Sequence, residues 1–203
     1  MITAEQLRLA FADRRGETDA APAPTASAAV AAILREPDSG LELLFIERAR
    51  HPGDPWSGDL AFPGGRLEEV DKGPRAAVER ETLEEISLDL SGAESLGRLS
   101  DLTTSDEQIV IAAFVYCLGD IGKSGDPPLQ LSSEVANAFW FPVSALLDPE
   151  RQARQTFESR GTNRIYATID LLGPGRPVLW GVTHRLVSRI LQRLGCSLPS
   201  APT

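Results

Sequence analysis

The sequence predicts an α/β fold (α+β in its chain order) in which helices cover both sides of a mixed β-sheet. Three observations point there. Short β-type apolar runs recur with turn chemistry between them, helical segments fall before, among and after those runs, and a Gly/Pro-dense stretch leads straight into a charged helix. The chain opens with TAEQLRLAFADRR, whose apolar residues Leu7, Leu9, Ala10 and Phe11 and N-cap candidate Thr3 predict a short amphipathic helix. The Ala/Pro-rich stretch that follows reads as an extended arm. Two strands are expected at Ala28–Leu34 and Leu41–Ile46, joined through the turn residues Glu36-Pro37-Asp38-Ser39-Gly40.

From His51 to Gly65 the run HPGDPWSGDLAFPGG is expected to be mostly loop. Pro74 to Ile86 predicts a helix of about three turns, with proline at a first-turn position where its missing N–H costs nothing. Further strands are expected at Glu94–Asp101, Gln108–Cys117, Ala136–Phe141 and Asn163–Ile169, and further helices at Val143–Leu147 and Val182–Leu194. Length fits this inventory: 203 residues suffice for one well-buried core with an appendage. The expected division is residues 1–26 as helix and arm, 27–197 as the main domain, and 198–203 as a flexible tail.

Composition narrows the function. Hydrophobic residues make up 42% and charged residues 24%, an ordinary globular mixture. No apolar run approaches the roughly 18–20 residues that cross a bilayer, and the N-terminus lacks a basic-then-apolar leader. With two cysteines outside any metal-ligand spacing, the expectation is a cytoplasmic protein with free thiols. A net charge of −9 disfavours nucleic-acid and anionic-membrane partners, which are held by basic surfaces. A phosphorylated small molecule stays open, because divalent cations invert the sign of an acidic site locally.

The chemistry concentrates around the helix at Pro74–Ile86. Glu81, Glu84 and Glu85 stand at i, i+3 and i+4, while Arg80 is four residues from Glu84 and able to pair with it. Ala76, Leu83 and Ile86 are expected to form the buried stripe opposite. Three carboxylates on adjacent turns repel one another, and no lysine is interspersed to relieve them. A hard divalent cation would remove that repulsion. Alone, such a cluster is most often a solvated acidic face; its context argues otherwise.

Gly65, Asp71, Arg80, Glu81, Glu84, Glu85 and Leu88 together resemble the Nudix box, G-x5-E-x7-R-E-U-x-E-E-x-G-U with U apolar, the signature of the Nudix hydrolase family. The chain departs from it in four places. Eight residues separate Asp71 from Arg80, a spacing similar to that of the coenzyme A pyrophosphatase branch; Thr82 replaces an apolar residue, Ser87 replaces the second glycine, and Glu79 lies on the apolar side. The resemblance extends over roughly residues 27–195, through Ala61-Phe62-Pro63-Gly64-Gly65, Val135–Val143 and Trp180-Gly181-Val182-Thr183. Coenzyme A-type members also carry L-L-T-x-R-[SA]-x3-R-x3-G-x3-F-P-G-G. Here Leu44-Phe45-Ile46-Glu47-Arg48-Ala49, Gly58 and Phe62–Gly65 match half of it, one extra residue precedes Gly58, and Asp54 falls where the second arginine is expected.

The resemblance implies an α/β/α sandwich and a metal-dependent hydrolase that cleaves the pyrophosphate of a nucleoside diphosphate derivative. Glu81, Glu84 and Glu85 would hold Mg²⁺ or Mn²⁺ with the backbone carbonyl of Gly65, and Arg80 would orient the carboxylates. The general base is either a box glutamate or a carboxylate brought in by a loop, Glu134 ahead of Glu107. Arg48 and Arg66, and less strongly Arg50, are candidates for anionic substrate groups, and Trp56 for stacking on a base or pantetheine arm. His51 and His184 read as structural, and Ser57 lacks the partners of a nucleophile. Coenzyme A or an acyl derivative is the leading substrate expectation. The alternatives are (d)NTPs, dinucleoside polyphosphates or nucleotide sugars, and then a non-catalytic binding module suggested by Ser87 and Glu79. The N-terminal arm is expected to support a homodimer.

Overall fold

The structure is a computed structural model that describes residues 2–12, 26–54, 56–104, 109–119, 128–159 and 162–201. Its elements run α1 (Ala4–Ala12), β1 (Ala28–Arg35), β2 (Glu42–Arg48), β3 (Leu60–Ala61), β4 (Gly64–Arg66), α2 (Pro74–Ile86), β5 (Glu94–Thr103), β6 (Val110–Cys117), β7 (Val135–Pro142), two 3₁₀ turns (Val143–Leu147 and Pro149–Arg151), β8 (Gln152–Ser159), β9 (Thr162–Ile169) and α3 (Gly181–Arg193). The mixed α/β class expected from the sequence is what forms. Most of the arm and Glu107 lie outside the described residues.

β1 organises the sheet. Its near-continuous apolar sequence AAVAAILR is buried on both faces, and it pairs in parallel with β6 from Ala28↔Ile111 to Leu34↔Cys117. On its other edge β1 meets β2 only at Leu34↔Leu43 and Arg35↔Glu42, then meets β4 at Ala28–Val30. β2 pairs along its length with β7, and β3 joins it at Ile46↔Ala61 and Glu47↔Leu60. The two strands therefore diverge after their first two residue pairs, and the chain from Leu60 to Arg66 is spliced into the gap. The stretch His51–Gly65 is mostly loop, as expected, apart from the short strands β3 and β4. Ladder bonds to β1 and β2, including Ala31 N–H to the carbonyl of Pro63 at 2.8 Å, turn Gly/Pro-dense sequence into short strands.

Alternation along the strands sends side chains to two cores. Ala32, Leu34, Phe45, Val115 and Leu99 face α1 and α3, which contribute Leu7, Phe11, Leu186, Val187 and Ile190. Ala31, Ile33, Ile46, Phe114 and Tyr116 face α2, which contributes Val78 and Ile86. Helix α1 is tied in further by a reciprocal cap between Thr3 and Gln6, at 3.1 and 3.2 Å, and by an ion pair from Arg8 to Glu94 at 2.7 Å.

The helix expected at Val143–Leu147 forms with those bounds as a 3₁₀ helix, a form common in segments this short. One expectation is corrected. Gln152–Ser159, read as no element, is a strand paired with β9 in a separate hairpin. Its sequence QARQTFES is too polar to announce a strand, because one face of the hairpin is solvated.

Candidate active site

Helix α2 starts after Gly73 with Pro74 in its first turn and ends at Ser87, which takes a left-handed conformation (φ 56°) and donates its N–H to the Leu83 carbonyl at 2.9 Å. The helix buries Ala77, Val78, Thr82, Glu85 and Ile86. This corrects the stripe expected from the sequence: Leu83 is 50% exposed and Ala76 half-buried, whereas Glu85 is 3% exposed. The helix is rotated so that a carboxylate enters the interface with β1 and β4. Thr82, where an apolar residue was expected, satisfies its hydroxyl by donating to the Val78 carbonyl at 2.7 Å.

The three glutamates are thus graded from inside to outside. Glu85 accepts a 2.8 Å bond from the Gly64 N–H deep in the sheet gap. Burial pushes its carboxyl up to about 7 against that bond, with Glu81 and Glu134 adding repulsion and Arg48 opposing it. Glu81, half-buried, is also shifted upward by burial, and Glu84 and Glu134 add to the shift. Its carboxyl lies so close to Gly65 that a β-carbon there would collide with it. Gly64 is held at φ 143°, where a side chain would run into the backbone of Ala29 and Val30. Glu84 is exposed.

Arg80 gathers this acid. It bonds Asp71 in bidentate fashion (3.1 and 2.9 Å), Glu81 and Glu84 at 3.0 Å each, and the Arg66 carbonyl at 3.3 Å. Hydrogen bonding to Asp71 is the main cause of the raised guanidinium pKa, and Asp71 is correspondingly lowered. The eight-residue spacing between Asp71 and Arg80 still permits this pairing. Glu79, unexpected on an inward position, accepts from the buried Tyr116 hydroxyl at 3.0 Å and from Arg75 at 2.9 Å.

Two residues from outside the helix are electrostatically coupled to it. After residue 127 the chain is tied to the end of α2 by Gln130 N–H to the Ile86 carbonyl (3.1 Å) and Ser132 N–H to the Glu85 carbonyl (2.9 Å), which brings Glu134 within range of Glu81 and Glu85. Arg48 sits where the β2–β7 register shifts, a bulge that re-aims a side chain. It pairs with Asp54 at 2.9 Å, and its charge reaches Glu85. Asp54 also accepts from the Trp56 N–H at 3.0 Å, so the segment carrying Trp56 is folded around the Arg48–Asp54 pair. Arg66 points to solvent while its carbonyl serves Arg80. Ser57 accepts from the His51 N–H, a turn contact, and burial lowers the His184 pKa.

The sequence reading missed Asp59 and the partner of Trp180. The Trp180 indole N–H donates to Asp59 Oδ1 at 3.0 Å, and burial pushes that carboxyl up to about 6. The available signal was an acid directly before the apolar run Leu60-Ala61-Phe62, with an indole donor downstream at Trp180.

Among the described residues, no three acidic, histidine or cysteine side chains are gathered tightly enough to enclose a cation as they stand, since Arg80 lies between Glu81 and Glu84. The donors nonetheless fit one in kind. Two desolvated carboxylates crowd the Gly64–Gly65 backbone, both shifted towards protonation, and a hard divalent ion would relieve them.

A sandwich of helices on a split mixed sheet, with a glutamate-rich helix following the splice, defines a Nudix-type protein. A NUDIX domain model matches residues 25–160, and the chain belongs to that family. It is 36% identical over 133 residues to an uncharacterized protein of Schizosaccharomyces pombe, covering 61% of this chain and 39% of that one. To human mitochondrial coenzyme A diphosphatase NUDT8 it is 29% identical over 180 residues, covering 88% of this chain and 74% of that one. The chain spans 39% and 57% of the lengths of two fission-yeast relatives it matches. The crystal structure of a MutT/nudix family protein from Enterococcus faecalis superposes with a TM-score of 0.57 at 17% identity, covering 96% of this chain and 75% of that one, and shares the fold.

Proposed function

We propose that this protein hydrolyses the pyrophosphate bond of a nucleoside diphosphate derivative with the help of Mg²⁺ or Mn²⁺, and that its substrate is coenzyme A or acyl-CoA, released as 3′,5′-ADP and (acyl-)4′-phosphopantetheine. The observation that carries the chemistry is the pair of desolvated carboxylates, Glu85 and Glu81, pressed against the Gly64–Gly65 backbone. Glu81, Glu84, Glu85 and the Gly65 carbonyl would hold the metal. A bound divalent ion neutralises charge developing on phosphorus and lowers the pKa of water. Arg80 steers Glu81 and Glu84 while Asp71 holds it in place. Glu134, in the turn just before β7 and within electrostatic range of Glu85, is the candidate to take the proton of the attacking water. Arg48 and Arg66 would bind anionic groups of the substrate, and Trp56 would stack on its base or pantetheine arm.

The similarity to the human coenzyme A diphosphatase over most of this chain supports the substrate, together with the Asp71–Arg80 spacing and Trp180-Gly181-Val182-Thr183. One observation favours a second reading, in which the substrate is a (d)NTP, a dinucleoside polyphosphate or a nucleotide sugar: Asp54 already occupies Arg48 where another cation was expected. The binding-module reading loses its motive, because Glu79 has two partners and Ser87 adopts the conformation a glycine would. No described helix is long and apolar enough to cross a membrane. Cytoplasmic residence and a homodimer through the N-terminal arm complete the proposal.

The test is Mg²⁺-dependent hydrolysis of coenzyme A, ADP-ribose, NADH, dinucleoside polyphosphates and (d)NTPs, with products separated by chromatography and Glu84→Gln as the blank. Preferential release of 3′,5′-ADP from coenzyme A is expected. Preference for another compound would reassign the substrate, and full turnover by Glu84→Gln would overturn the metal role.

A further inference from the structure

The segment from β8 to the start of α3 forms a hairpin outside the main sheet, yet its aromatic face is closed. Phe157 stacks on Trp180 with ring centroids 3.9 Å apart and planes 8° from parallel, and Tyr166 meets the same indole edge-on at 5.3 Å. Stacking fixes the plane of the indole, and its one polar atom is aimed at Asp59 Oδ1, 3.0 Å away. Asp59 is a junction. Its N–H donates to the Trp56 carbonyl at 3.1 Å, its carbonyl accepts from the Arg48 N–H at 3.0 Å, and Leu60 after it enters β3. A second tie runs in parallel, from Arg176 to Glu47 at 3.0 Å. The hairpin side of the molecule thus grips both ends of the segment 47–59, which presents Arg48, Asp54 and Trp56. The start of the segment is held by pairing of Glu47 and Arg48 with β7 and by Ala49 N–H to the Glu134 carbonyl at 2.8 Å. From His51 to Ser57, by contrast, the described bonds are local, such as Asp54 N–H to the His51 carbonyl and Ser57 N–H to the Asp54 carbonyl, both 3.2 Å.

We propose that Trp180 and Asp59 are positioning residues for substrate binding: the stacked indole, through its bond to Asp59, fixes the backbone that presents Arg48 and Trp56, so that hairpin β8–β9 sets affinity without touching the substrate. The inference deepens the pyrophosphatase reading and rests on it for the identity of the ligand. Neither residue approaches Glu81 or Glu85 through any bond described above, so the effect falls on binding and spares the chemical step.

Three variants separate this role from simple stability. Trp180→Phe keeps an aromatic ring to stack on Phe157 but removes the donor; Asp59→Ala removes the acceptor; Asp59→Asn keeps an oxygen in place to accept. With coenzyme A as the probe, or whichever pyrophosphate the panel selects, Trp180→Phe and Asp59→Ala are expected to raise KM about five- to tenfold, the worth of one hydrogen bond, with kcat within about twofold. Asp59→Asn should stay within about twofold of the parent in KM, and the double variant Trp180→Phe/Asp59→Ala should be no worse than either single one. Amide hydrogen exchange across residues 47–59, measured without substrate, should speed up in Trp180→Phe and Asp59→Ala and remain slow in Asp59→Asn. KM unchanged in an active Trp180→Phe enzyme, or Asp59→Asn behaving like Asp59→Ala, would overturn the proposal. A parent chain inert on every pyrophosphate would instead sink the functional reading, and the exchange data would still report whether the latch exists.

Discussion

The two faces of the sheet are built from the same strands and to different ends. The face under α1 and α3 is closed by Leu7, Phe11, Leu186, Val187 and Ile190, and its core cluster holds no carboxylate or basic side chain among the described residues. The face under α2 buries Glu85, Thr82 and Tyr116 with its aliphatic residues and satisfies each by a hydrogen bond. One face is organised for cohesion. The other gives up cohesion to keep a carboxylate dry, since desolvating a charge without a full set of partners costs several kcal/mol.

The comparison breaks most readily on the apolar face. Phe11→Ala is expected to lower unfolding stability by about 3–5 kcal/mol while turnover per folded molecule is unchanged, as read by denaturant titration beside an active-site-normalised assay. On the α2 face the signs reverse. Glu85→Gln should reduce turnover roughly 10²–10³-fold, and in metal-free buffer above pH 7 it should unfold at a higher denaturant concentration than the parent, because a desolvated charge has been removed. A Glu85→Gln protein less stable than the parent would show that the buried charge contributes cohesion after all.

Asp59 sharpens the contrast between these faces and the loop segment. Its folded pKa of about 6 lies above the usual carboxylate value of 3.8, so the folded state holds this proton more tightly than the unfolded chain does. The stability it contributes is present below about pH 3.8 and is lost as pH rises through 6, at up to about 1.4 kcal/mol per unit between them. Subtracting the stability profile of Asp59→Asn from that of the parent should isolate this fall; a flat difference between pH 4 and 6 would contradict the burial. The smallest effect belongs to Ser87, a non-glycine residue at φ 56°. Ser87→Gly should stabilise by about 0.5–1 kcal/mol with activity unchanged, measured by thermal unfolding.

Much of this architecture was legible because it is written in local chemistry. β1 and β6 are apolar runs, α2 carries its proline and its glutamates, and Thr3 caps α1. What was illegible depends on distant partners. The polarity of Glu79 looked like a fault until Tyr116, 37 residues on, supplied its donor. Hydrophobicity alone turns Leu83 inward and Glu85 outward, whereas the Gly64 N–H, 21 residues earlier, draws the carboxylate in. β8 lies in a hairpin with one wet face and so has no apolar alternation to read, and the Trp180–Asp59 bond joins residues 121 apart.

The splice of Leu60–Arg66 into the gap between β1 and β2 bears on how this protein tolerates change. The floor beneath the glutamates is made of peptide groups, so its requirements are of size rather than of chemistry. At position 64 a single methyl group collides with the backbone of β1, and at position 65 it collides with the Glu81 carboxyl, which must leave its place to admit it. A few residues away, a β-carbon added at Gly53 meets open space and one at Gly58 only the Arg50 side chain, so their positive φ rather than a neighbour limits these two positions. Crowding is therefore uneven: space is open around the segment before β3, while on the bed where the carboxylates rest any side chain displaces either β1 or Glu81.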